Sequence, residues 1–260
     1  MSAAPLPPAP PPHAQSHPQP YPQSFGYAPT GPAGAVLSSP VGIGKAVVAL
    51  LGAVIVADLL SVAAGFNIRQ VLNDVLDHGY TTGDESRAAR ADDFYAATGV
   101  FQLLALFATA VLFLIWFRRT RLNAEVFDPS VQPMRPGWAI GGWFVPVAGL
   151  WLPRRIAGGI WTVSDRANVD GSGRAASTAP MNLWWGAWIC ALLFSQYASR
   201  RYDRAEGADE LVRAAGQLMI SDALDIVAAV LAIVFVRKLT RMQTERAALG
   251  PLPYAEFPPR

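Results

Sequence analysis

Residues 137–161 read GWAIGGWFVPVAGLWLPRRIAGGIW. Whether this stretch crosses a membrane decides the topology of everything that follows it. Residues 137–153 carry no charge. That puts the run at the lower limit of the roughly 17–25 helical residues needed to cross a hydrocarbon core of about 30 Å. Pro146 interrupts it, and Pro136 and Pro153 bracket it. A proline inside a helix removes a hydrogen bond and costs about 3 kcal/mol. Half of the chain's 8 tryptophans fall here, at Trp138, Trp143, Trp151 and Trp161. Tryptophan favours the headgroup level, and a span would carry Trp143 and Trp151 into the hydrocarbon.

Composition sets the wider frame. Of 260 residues, 52% are hydrophobic and only 15% are charged. A soluble domain carries about 25% charged residues, so the deficit points to a membrane protein. A net charge of +2 with scattered basic residues gives no argument for nucleic acid. Cys190 stands alone, so neither an intramolecular disulfide nor a cysteine-based zinc site is expected. His13 and His17 lie in a low-complexity tail, which leaves His78 and no basis for a metal or cofactor site. The preference for Arg over Lys, with much Ala, Gly and Pro, fits a GC-rich genome such as that of an actinobacterium.

Four other runs are long and apolar enough to span: residues 46–66, 96–117, 181–198 and 217–236. The third bears Trp184, Trp185 and Trp188, and the last contains two aspartates. Basic residues collect on the cytoplasmic side of short loops. If residues 137–161 do not cross and the N-terminus is cytoplasmic, the external side holds Arg69, Arg87, Arg90, Arg200, Arg201, Arg204 and Arg213. The rest of the 21 basic residues, twice as many, lie inside. A fifth span abolishes that asymmetry. The sequence therefore predicts an all-α polytopic membrane protein of four transmembrane helices, with both termini cytoplasmic. Residues 137–166 then form a Trp/Pro-rich re-entrant or interfacial helical segment. Within it, Ile156, Ile160 and Val163 recur at helical spacing, as in a short amphipathic surface helix. The expected organisation is a tail at 1–44, a membrane domain at 45–240 and a short tail at 241–260.

Half of the 22 prolines fall within residues 1–34 of the N-terminal tail, and no Lys or Arg appears before Lys45. It has no cationic n-region or apolar h-region, so it does not read as a signal peptide. Such a segment cannot bury a core and reads as disordered or polyproline-like. It is a candidate docking arm for a protein partner, with Tyr21, Phe25 and Tyr27 as its aromatic contacts.

A more specific signature runs Trp138-x4-Trp143-Phe144-Val145-Pro146-x3-Leu150-Trp151-x-Pro153, followed by Trp161 and Ser164. With RRTRLNA at 118–124 before it and NLWW at 182–185 after it, the pattern resembles a bacterial membrane family common in actinobacteria, domain of unknown function 4328. The resemblance covers about residues 45–240. It implies an integral membrane protein and brings no activity, substrate or catalytic residue. Members often carry Asn before the Leu-Trp pair, where this chain has Gly149.

Chemistry is sparse. Ionisable groups within a span cost about 2.5–3.5 kcal/mol each on insertion scales. Asp58, Asp222 and Asp225 are such groups, and Asp58 and Asp225 each lie about 12 Å from the outer end of their runs. Gln102 and Gln196 fall at a similar level, so the four helices are expected to turn a polar cluster toward one outward-facing cavity. Adjacent carboxylates in a low dielectric share a proton. The alternatives are interhelical hydrogen bonding or pairing with Arg200, Arg201 or Arg204. Ala49, Ala53, Ala57, Ser61 and Gly65 form a small-residue stripe suited to helix packing or to a homo-oligomer face. Arg154 and Arg155, with Arg118, Arg119 and Arg121, are candidate contacts for anionic lipid headgroups. Cys190 reads as a buried packing residue. GIGKA at 42–46 is no P-loop, and neither HExxH nor GxSxG occurs. The sequence points to a non-enzymatic scaffold or accessory subunit with membrane lipids and a tail-bound protein as partners. The alternative is a small transporter or a proton- or cation-conducting protein working through the aspartates.

Overall fold

The computed structural model describes residues 37–79, 83–132, 134–167, 171 and 174–249. Most of the Pro-rich tail, and the last residues from 250 on, lie outside these. Among the described residues every regular element is helical. Four are long: α1 (Val41–His78), α2 (Asp84–Phe127), α5 (Ala179–Asp203) and α6 (Ala208–Ala248). Between α2 and α5 lie the short helices α3 (Trp138–Gly141) and α4 (Leu152–Ser164).

Helices α1, α2 and α6 are long and apolar enough to cross a membrane. Their surfaces are inverted relative to a soluble protein. Leu103 is 67% exposed and Phe107 69%, and Leu59, Leu60, Val227, Val230 and Val234 also face outward. An apolar belt of that extent needs lipid or protein to cover it. At 38, 44 and 41 residues, each is roughly 60 Å long at 1.5 Å per residue, about twice a bilayer core. The spans at 46–66, 96–117 and 217–236 are therefore only the apolar centres of longer rods. Helix α1 runs on through residues 67–78, because nothing there breaks its hydrogen-bonding ladder until Gly79. There φ reaches +77° and the N–H closes on the Val75 carbonyl. Helix α5 contains the third expected span, residues 181–198, and has 25 residues, but Asn182, Gln196 and three tryptophans dilute its apolarity.

The short connections at 79–83 and 204–207 make α1/α2 and α5/α6 antiparallel hairpins. Helix α2 packs on α1, α1 on α6 and α6 on α5. The row does not close, since α2 and α5 share no extended interface. At the end where the termini meet, a polar clasp fixes the register. Asn123, in the RRTRLNA run, exchanges hydrogen bonds with the Ser38 backbone and donates to Gln243 Oε1 at 3.1 Å. Gln243 in turn donates to the Thr120 carbonyl at 2.8 Å, and Trp116 Nε1 donates to Thr240 Oγ1 at 3.1 Å. Gly44 lets α1 approach this point. A Cβ there would lie 2.9 Å from Thr240 Oγ1.

Residues 137–161 form no single helix. Helix α3 has four residues, and the chain then turns through Pro146 and Val147. Val147 takes φ +62°, a strained γ-turn closed by Ala148 N–H to the Pro146 carbonyl. Helix α4 follows with 13 residues, about 20 Å, too short to cross. Pro153 does not end a helix but begins one, in the first turn where no partner is lost. The expected amphipathic face is real, with Ile156, Ile160 and Val163 buried. It packs against α2 and α6.

Two tryptophans also face inward where the headgroup level was expected. Trp161 is 2% exposed and stacks parallel to Phe235 of α6, whose other stacked neighbour is Trp184 of α5 at 4.4 Å. Trp143 makes edge contacts with Phe113 and Phe117 of α2 and with Trp185 and Trp188 of α5, at centroid distances of 5.5–6.0 Å. It thus fills the gap between α2 and α5 at this level, beside the direct contact of Phe113 with Trp184 at 5.6 Å. Trp138 and Trp151 remain on the surface. Gly149 lies close beneath this turn; a Cβ there would sit 3.2 Å from the Trp143 carbonyl, so the turn would have to give by a few tenths of an ångström to accept a side chain.

Trp143 Nε1 is buried without a hydrogen-bond partner, so its ring matters and its N–H does not. Trp143→Phe should leave the melting temperature in a nonionic detergent nearly unchanged. Trp143→Ala should cost about 3–5 kcal/mol and lower it strongly. Equal losses in both variants would contradict the wedge role.

Candidate functional site

Beyond the aromatic wedge, toward the far end of the bundle, the unclosed row of helices encloses a cavity of about 700 Å³. Phe113, Trp143, Trp184 and Trp188 form its floor, and Leu51, Val54, Leu106 and Leu192 line its walls. Its other end is polar. Asp58 arrives from α1, Gln102 from α2, and Asp222 and Asp225 from α6. The spacing of three places both α6 carboxylates on one face.

Gln102 organises the group. Its Nε2 donates to Asp58 Oδ1 at 2.7 Å and to Asp222 Oδ1 at 3.0 Å. One amide nitrogen thus uses both of its protons to tie three helices together. Asp58 is 1% exposed and Asp222 9%, whereas Asp225 is half-buried. Asp58 Oδ2 is buried with no partner at all. Among the described residues no ion pair joins these aspartates to a basic side chain. Arg200, Arg201 and Arg204 are exposed on the far end of α5 and its turn. Nor, among the described residues, do three His, Cys, Asp or Glu side chains converge as metal ligands.

Several positions differ from the sequence reading. Gln196 is exposed, while Ser195 and Ser199 line the cavity from α5. Ser61, Tyr95 and Ser221 complete the polar end. Inspection of α5 alone could have found the two serines, since they sit four apart on the face bearing Trp184, Trp188 and Leu192. Cys190 is exposed rather than buried, on the outward side of α5. The small-residue stripe is split. Ala49 is exposed and Ala53 half-buried, while Ala57, Ser61 and Gly65 are buried, with Met219 of α6 lying over Gly65. Ala57 and Ser61 are therefore already covered within the fold. Arg154 is engaged through Nε and Nη2 by Asn182 Oδ1 of α5. Partial burial pulls its guanidinium below the ordinary arginine value. Arg155 is exposed. Arg121 is 2% exposed and donates to the Met134 carbonyl and to Glu125. It ties the segment after α2 back onto the bundle.

Chemically the site offers acceptors in excess. Three carboxylates share the polar end with the Gln102 amide and the hydroxyls of Ser61, Tyr95 and Ser221, and Asp58 Oδ2 is still left without a donor, while the long side of the cavity is apolar. A carboxylate site of this kind, enclosed and with an oxygen lacking a donor, can accept a positively charged group.

The family model described as Domain of unknown function (DUF4328) matches residues 80–241. That is well over half of the chain, and the chain belongs to this family. The match takes in Gln102, Trp143, Asp222 and Asp225, while α1 with Asp58 precedes it. No curated protein and no solved structure matches the sequence.

Proposed function

We propose that this is a four-span plasma-membrane protein with both termini in the cytoplasm, and that it binds and passes a proton or a small cation through the carboxylate site. The observation that carries the reading is Asp58, a fully enclosed carboxylate with one oxygen unpartnered, beside a second carboxylate on the same amide. Two carboxylates in a low dielectric repel each other, and a proton or cation between them relieves that cost. An ammonium group or proton needs acceptors and no coordination shell, which fits this set.

A hydrophobic carbodiimide reaches carboxyl groups from the lipid phase and reacts only with the protonated form. Labelling of the full chain in liposomes should fall as pH rises and should be largely lost in Asp58→Asn. Unchanged, pH-independent labelling in Asp58→Asn and Asp222→Asn alike would sink the cation reading. Topology is tested separately in a Cys190→Ser background. An impermeant maleimide on intact cells should label Asp209→Cys and spare Arg155→Cys, and the reverse pattern would overturn the orientation.

A scaffold role is the second reading. It is supported by an exposed apolar rim at the termini end, where Trp151 is 53%, Val147 70% and Phe144 72% exposed, with Arg155 nearby. Basic residues at such a level each add about 1 kcal/mol of attraction to anionic lipid. On this reading a partner co-purifies through the Pro-rich segment. If deletion of residues 1–36 leaves every co-purifying protein in place, the scaffold reading loses its docking arm.

A further inference from the structure

The carboxylate cluster is only one end of the cavity, and the rest of its shape restricts what can fill it. A proton or inorganic ion needs none of the apolar length that continues to the aromatic floor. The volume of about 700 Å³ lies within the roughly 300–1,000 Å³ of pockets that enclose whole organic molecules. Access is from the side. Helices α2 and α5 share no extended interface, and cavity-lining Leu103 and Leu106 are 67% and 57% exposed. The cavity wall is therefore continuous with the lipid-facing surface along the α2–α5 gap. Toward the termini the gap is shut by Trp143 between Phe113, Phe117, Trp185 and Trp188. Toward the far end a second, small cavity of about 10 Å³ lies past Asp222, lined by Tyr95 and Tyr202.

We infer that the cavity takes an amphiphilic organic cation from the surrounding leaflet, entering sideways between α2 and α5. Its ammonium head sits at Asp58, Asp222 and Asp225, and its apolar tail lies along Leu106 and Leu192 toward the aromatic floor. This rests on the cation reading above and names the class of cation. Charge complementarity fixes the head. Asp58 Oδ2 has no donor beside it and no basic side chain pairs with the cluster among the described residues, so the carboxylate charge is left for a cation to match, with or without an N–H. Hydrophobic complementarity fixes the tail, since each methylene removed from water contributes about 0.8 kcal/mol. A cation alone would leave the aromatic end without a counterpart, and a neutral lipid would leave the carboxylates without one.

The test uses the full chain in maltoside micelles and an ω-bromododecyl trimethylammonium probe, whose bromine quenches nearby indoles. Quenching should saturate, with Trp143, Trp184 and Trp188 as reporters at the floor. In Asp58→Asn the affinity should fall about tenfold or more, while Asp58→Glu should retain it. ω-Bromododecanol, the tail without charge, should quench without saturation and equally in both proteins. The head without a tail, tetramethylammonium, should neither compete with the probe nor protect Asp58 from the carbodiimide. If tetramethylammonium protects as well as the long-chain cation, the cation site stands and the amphiphile inference falls. If quenching by the long-chain cation is identical in Asp58→Asn and wild type, the inference falls whatever the carbodiimide shows. Should Asp58→Asn not fold, Ala110→Trp leaves the carboxylates intact and narrows the tail channel. It should weaken the long-chain probe, and unchanged affinity would refute the placement of the tail.

Discussion

The position of one indole determines the shape of this molecule. Trp143 lies on a segment too broken to span, and it inserts between two helices that otherwise share no extended interface. Helix packing in lipid gains nothing from expelling water, so close contact must come from shape and specific pairs. The Trp143 cluster supplies these at one level only. Below it, α3 and α4 and the Asn123–Gln243 clasp close the bundle. Above it, α2 and α5 part, and the cavity is the space they leave. The wedge is thus both the lock of the bundle and the floor of the site.

The same logic explains the division of polar groups. A buried polar atom in a membrane must find a partner within the protein. At the termini end the rule is largely kept: Asn123, Gln243, Thr120 and Ser38 satisfy one another, and Trp116 pairs with Thr240, across α2, α6 and the segment before α1. At the carboxylate end it is kept only in part. Gln102 spends both protons on Asp58 and Asp222, and one oxygen of Asp58 is left over. The neutral atoms left without a partner, Trp143 Nε1, Gln132 Oε1 and Gln217 Oε1, cost less than an oxygen of an ionisable carboxyl group, so Asp58 Oδ2 stands apart from them. The surplus acceptor is better understood as belonging to a ligand site than to the scaffold.

Much of this could be read from the sequence. Three aspartates and Gln102 stand out because charge inside an apolar run is expensive, and counting residues from the run ends brings them to one level. The amphipathic face of α4 follows from its spacing. What could not be read was direction. Tryptophan is favourable both at a headgroup and inside an aromatic cluster, and Trp143 and Trp161 carry no local mark that distinguishes the two. On α5, Gln196 was the more polar residue, but the rotation of the helix set by Trp184 and Trp188 turns Ser195 inward instead. Cys190 is carried outward by the same rotation. Helix ends were missed because hydropathy marks the apolar centre of a rod and is silent about its polar continuation, as at residues 67–78 of α1.

Helix α5 also explains its own weak membrane signal. A helix surrounded by lipid and packed partners is apolar on all sides, as α2 is through residues 103–107. Helix α5 packs chiefly on α6 and gives another face to the cavity and to Trp143. That face needs tryptophans for the floor and small hydroxyl residues, Ser195 and Ser199, where the cavity turns polar. Its lower apolarity follows from lining the site, and the residues that dilute it are among those that give the cavity its two unlike ends.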